Sequence, residues 1–199
     1  MAAVDISGFI AELKDHAVDH GFHVHDERQF IETYSLRQAF EVDVHPEEAC
    51  GGPLDLHLTL EVDPRVVLAF EDRVGEIERE FADADEFPEP EDVFRFPLFF
   101  NWSLPPLADP PDLLVLATEL AGVAGPDLPL EIAATDSYGA LTAGPERRLS
   151  IVGRVEVSLV DVFMGREQLC DVLDRGRDVC GYLLERANVW QPLEDIEGD

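Results

Sequence analysis

Two consecutive stretches of the chain alternate apolar and polar side chains with a period of two, a pattern that suits a half-buried β-strand. In the first, Tyr34, Leu36, Phe40, Val42 and Val44 point one way, and Arg37, Glu41, Asp43 and His45 point the other. In the second, Leu54, Leu56, Leu58, Leu60 and Val62 oppose Asp55, His57, Thr59 and Glu61. The segment HPEEACGGP between them holds Pro46, Gly51, Gly52 and Pro53, so the simplest arrangement is an antiparallel hairpin. Its apolar face needs a second layer. Helices on either side supply one: Ile6, Phe9, Ile10, Leu13 and Ala17 recur at helical spacing before Gly21, and Val67, Phe70, Val74, Ile77 and Phe81 follow the Asp63-Pro64 start signal. Phe22, His23, Val24 and His25 form a short extended piece between the first helix and the hairpin.

The second half repeats the order. Phe94, Phe96, Leu98, Phe100, Trp102 and Leu104 alternate, and Pro97 assigns that strand to a sheet margin. A helix from Asp112 to about Ala124, apolar nearly all round, is expected to be buried. Leu130, Ile132 and Ala134 make a short strand, Leu149 to Val162 a long one, and Arg166 to Ala187 the last helix. The fold class is therefore α+β, with antiparallel β-hairpins packed against amphipathic helices and an internal pseudo-duplication of helix, strand, strand, helix. The halves are residues 1–82 and 93–190, joined by the acidic linker 83–92 into one compact domain, with an acidic tail at 191–199.

Charge limits function. Lys+Arg number 14 against Asp+Glu 43, a net charge of −29 over 199 residues. A chain this acidic has no basic face for phosphate, so nucleic acid is excluded as a partner, and the same sign argues against anionic membranes. The carboxylates are spread through every segment and Lys14 is the sole lysine, which suits a halophilic-type cytoplasm in which salt screens self-repulsion. Cys170 and Cys180 lie on one predicted helix about 15 Å apart and cannot bridge each other, so a reducing compartment is expected. The first thirteen residues lack a basic leader region, and no apolar run is long enough for a membrane span. The expectation is a soluble cytoplasmic protein.

None of GxxxxGK[ST], GxGxxG, GxSxG, HExxH or CxxC occurs. The leading expectation is thus a non-catalytic binding or assembly module without a resident cofactor. The alternative is a metal-binding protein, or a metal-dependent enzyme, that uses zinc or another transition metal. All six histidines fall in the first 57 residues. HAVDHGFHVHD places His16 and His20 one helical turn apart and His23 and His25 on one strand face, both ligand spacings. In the hairpin, Asp43 and His45 share the outer face with Asp55 and His57, a quartet that could hold zinc or orient an imidazole as a base. Cys50 in the connecting loop could join it. Asp136, Ser137 and Tyr138 could present a hydroxyl nucleophile from a loop. The aromatic strand offers Arg95, Phe99 and Trp102 as an interface for a protein partner or for a second copy in a homodimer.

Overall fold

The computed structural model describes residues 4–81, 88–139, 145–166 and 169–190. Helix α1 (Ile6–Asp19) leads into β1 (Phe22–Ile31), β2 (Gln38–Pro46), a 3-10 turn (Glu47–Ala49) and β3 (Asp55–Val62). Helix α2 (Pro64–Glu80) closes the first half, and β4 (Arg95–Leu107), α3 (Leu113–Ala124), β5 (Leu130–Ser137), β6 (Glu146–Ser158), α4 (Leu159–Met164) and α5 (Cys170–Trp190) follow. The caps are local and polar. Asp5 accepts from Gly8 N at 2.8 Å, Asp63 from Arg65 N at 2.9 Å, and Asp112 from Leu114 N and Val115 N at 2.9 and 3.0 Å. The Arg65 backbone N–H beside Asp63 holds that carboxyl below its usual range.

The strands form one six-stranded antiparallel sheet in the order β1-β2-β3-β4-β6-β5. Its inner face carries Val42, Val44, Leu56, Leu58, Leu60, Phe96, Leu98, Phe100, Trp102, Leu149 and Ile151, all buried, in one cluster with Leu13, Phe70, Leu120 and Leu173 from the helices. The helices cover this face, and the residues of opposite parity stay half-buried or exposed on the other. Helix α5 meets β4 at Gly176, where a Cβ would sit 2.8 Å from the Phe100 ring. Only glycine lets α5 lie this near β4.

Several expected boundaries move. The hairpin strand begins at Gln38, and Tyr34 and Leu36 sit exposed in the β1–β2 turn. The short extended piece is a ten-residue edge strand. Strand β4 is not at a margin: it pairs with β3 on one side and β6 on the other. Pro97 fits because the β3–β4 ladder ends at Leu60 opposite Leu98, so that residue is paired only with Glu156 of β6. Helix α3 buries Leu116, Leu120 and Ala124 but leaves Leu114 and Val115 exposed, because it lies over the sheet with one side only. The expected repetition of helix, strand, strand, helix does not hold: the first half runs helix, three strands of a meander, helix, whereas the second runs β4, α3, β5, β6 and two helices, with β4 paired to β6.

Of the acidic linker, Glu89, Glu91 and Asp92 are fastened by Arg166, Arg73 and Arg95 respectively. Residues 82–87 and the tail 191–199 lie outside the described residues. Among the described residues no helix is long and apolar enough to cross a membrane.

Candidate metal centre

Gly21, at φ +82°, ends α1 and turns the chain into β1. The histidine-rich segment is divided there: His16 and His20 remain on the helix, and His23 and His25 enter the strand. Strand pairing sets His23 opposite His45, where side chains on one face approach within about 5 Å. One residue later the register slips. Val24 faces Val44 and Asp26 faces Asp43, leaving His25 as the extra residue of a bulge. A bulge re-aims side chains, and this one places His25 beside His23 and His45.

The ring centroids of His25 and His45 are 4.2 Å apart, those of His23 and His45 6.0 Å, and those of His23 and His25 6.4 Å. One nitrogen from each ring lies within 4.8 Å of the other two. The 3-10 turn after β2 returns Cys50 over the same spot, with its Sγ 3.4 Å from His23 Nδ1 and 3.7 Å from His45 Nδ1. A tetrahedral zinc ion, with Zn–N about 2.0 Å and Zn–S about 2.3 Å, holds nitrogen and sulfur about 3.5 Å apart. The two observed separations lie on either side of that value. His45 Nδ1 is also 3.1 Å from the Pro46 carbonyl oxygen. A nitrogen that coordinates beside Cys50 carries no proton, so an ion bound at Nδ1 takes the place of the hydrogen bond to this carbonyl. His45 is half-buried, while His23, His25 and Cys50 are exposed, so an ion could reach the group from solvent.

The quartet expected on the hairpin is divided by the structure. His45 belongs with His23 and His25, whereas His57 sits opposite Asp43, with Nδ1 2.5 Å from Asp43 Oδ1 and 4.0 Å from Glu41 Oε1. Arg28 of β1 enters this second group, its Nη2 2.7 Å from Glu41 and 2.6 Å from Asp43. A guanidinium there supplies the kind of positive charge that a metal ion would bring, and Glu41, Asp43 and His57 each keep one ligand atom within 4.8 Å of the others. Asp55 is exposed at the start of β3, opposite Ser103.

The other expected site residues are placed as follows. Arg95 pairs with Asp92 at the start of β4. Phe99 is half-exposed on the open sheet face, with the Arg154 guanidinium 5.8 Å from its ring centre. Trp102 does not share that patch: it is 1% exposed, because even-numbered residues of β4 face the core, and its indole N–H is spent on the Cys180 sulfur. In the β5–β6 hairpin, Arg147 grips both oxygens of Asp136 at 2.6 and 2.8 Å and holds its carboxyl below the usual range. Ser137 Oγ donates to the Glu146 carbonyl at 3.3 Å, so Asp136 and Ser137, expected in a loop, are the last residues of β5 and are tied to β6.

Sequence reasoning did not bring Arg28, Cys170 or Asp174 into any site. The first comes from the exposed stretch of an edge strand, and the other two from a helix more than 140 residues beyond the histidines they meet. A signal for His23 with His45 was present: a full strand at 22–31, folded back about Tyr34, sets the two opposite each other. The chain matches no protein-family model, and no curated protein or solved structure matches it.

Proposed function

We propose that this protein is a non-catalytic zinc-binding module whose ligands are His23, His25, His45 and Cys50. What supports the reading is that single ligand nitrogens of His23, His25 and His45 lie within 4.8 Å of one another, with the Cys50 sulfur beside two of the three rings, 3.4 Å from His23 Nδ1 and 3.7 Å from His45 Nδ1. Four protein ligands fill the shell and leave no position for a substrate, which favours a binding role over a hydrolytic one. The ion would tie together the start of β1, the end of β2 and the loop after it. Exposed ligands let it enter and leave without unfolding, and the strongly negative field of the chain raises the local cation concentration.

Elemental analysis after dialysis against zinc tests the reading. The His23→Ala/His45→Ala variant is expected to retain one zinc fewer per chain than the native protein, and an unchanged zinc content contradicts the assignment. A protein partner or second copy would meet the open sheet face near Phe99 and Arg95. Sedimentation then finds a native dimer that Phe99→Glu converts to a folded monomer, and a native monomer removes the homodimer.

A further inference from the structure

A second group of ligand-type side chains lies where α1 meets α5. His16 and His20 stand one turn apart on α1, and Cys170 and Asp174 stand one turn apart at the start of α5. The Cys170 sulfur is 3.7 Å from His16 Nδ1, and single ligand atoms of His16, His20 and Cys170 lie within 4.8 Å of one another. His20 Nδ1 is 2.6 Å from Asp174 Oδ1. An Nδ1–H donated to that carboxylate fixes the tautomer and leaves Nε2 with its lone pair, the outer-shell arrangement that orients metal-bound histidines.

The surroundings differ from those of the first group. His16, His20 and Cys170 are all half-buried, because Leu13 and Ala17 on α1, Leu169 just before α5 and Leu173 on α5 are buried beside them. Packing therefore holds these ligands near their separations before any ion arrives, which lowers the entropy lost on binding. Arg177 reaches the His20 carbonyl at 3.4 Å and ties the end of α1 to the same helix.

We propose that His16, His20 and Cys170 form a second transition-metal site, with Asp174 as the positioning residue for His20, and that the ion clamps α1 to α5. Among the described residues this site has three ligands where the one on the sheet has four, so the two differ in kind. Its residues are separate from those of the first site, and either can fail alone.

Cobalt(II) replaces zinc and reports thiolate ligation through a sulfur-to-cobalt absorption band. The probe is cobalt added to the full chain carrying His23→Ala, His25→Ala, His45→Ala and Cys50→Ser, with folding checked by circular dichroism. One cobalt per chain with the sulfur band is expected. Adding Cys170→Ser should abolish the band, and adding Asp174→Asn should keep it while weakening affinity about 10- to 100-fold. No cobalt binding in the four-fold variant, a band that survives Cys170→Ser, or affinity indifferent to Asp174→Asn overturns the proposal. The reverse background, His16→Gln with Cys170→Ser, reports the sheet site by itself and so separates failure of the two.

Discussion

The indole Nε1–H of Trp102 in β4 donates to the sulfur of Cys180 in α5 across 3.2 Å. Burial pushes the Cys180 thiol up to about 12, the indole hydrogen bond opposing it only in part. Cys50 is exposed in the loop after β2. Thiolate is the reactive form, so iodoacetamide at pH 8 should modify Cys50 in the native protein and reach Cys180 only after denaturation. Zinc should protect Cys50. Mass spectrometry of the labelled peptides checks both, and rapid native labelling of Cys180 would contradict the burial argument.

Gly176 sets the distance between α5 and the sheet. A Cβ there would lie 2.8 and 3.1 Å from Phe100 ring atoms, and Phe100 is stacked on Trp102 with centroids 5.6 Å apart, so the ring cannot retreat freely. Gly176→Ala is expected to destabilise the fold by about 1–3 kcal/mol, the usual cost of overpacking. Gly181 on the same helix has open space around its Cβ position, and Gly181→Ala should be neutral or stabilising. Urea denaturation of the two variants makes the comparison.

Acid should release the contact between the linker and α2. Arg73 beside Glu91 lowers that carboxyl from 4.5 to about 2. A depressed carboxyl contributes stability that is present above its unfolded value and lost as pH falls through the folded one. The melting temperature of Glu91→Gln should therefore lie below that of the native protein at pH 7, and the gap should close between about pH 4.5 and pH 2. The pair is exposed and the gap small; a gap independent of pH contradicts the ion-pair origin.

Salt tests the proposal that the acidity is an adaptation. Among the described residues the carboxylates are distributed over every helix and strand except α3 and β4, where Glu119 alone is acidic. Raising salt from 0.1 M to 1 M shortens the screening length from ~10 Å to ~3 Å. Stability should rise with KCl, whereas a melting temperature that is flat or falling up to about 2 M favours a dedicated acidic surface.

Legibility followed burial. Strands β2 and β3 could be read because one face is core and the other wet, so Val42, Val44, Leu56 and Leu58 alternate cleanly with Asp43, His45 and His57. Strand β1 is an edge strand in which all but the first few residues are exposed, and its bulge at His25 breaks the phase. That is why its full length was missed, and with it the meeting of His23 and His45. Pro97 pointed to a margin because a proline removes a ladder hydrogen bond; the ladder beside it had already ended on one side. Cys170 and His16 are brought together only by the packing of the first helix on the last, a contact with no local signature.

X-ray absorption at the zinc edge tests the central claim most directly, on His16→Gln/Cys170→Ser protein carrying one equivalent of zinc. Ligation by His23, His25, His45 and Cys50 predicts three nitrogens at about 2.0 Å and one sulfur at about 2.3 Å, with the sulfur lost in Cys50→Ser. A shell of nitrogen and oxygen only, or a sulfur that persists without Cys50, would contradict it.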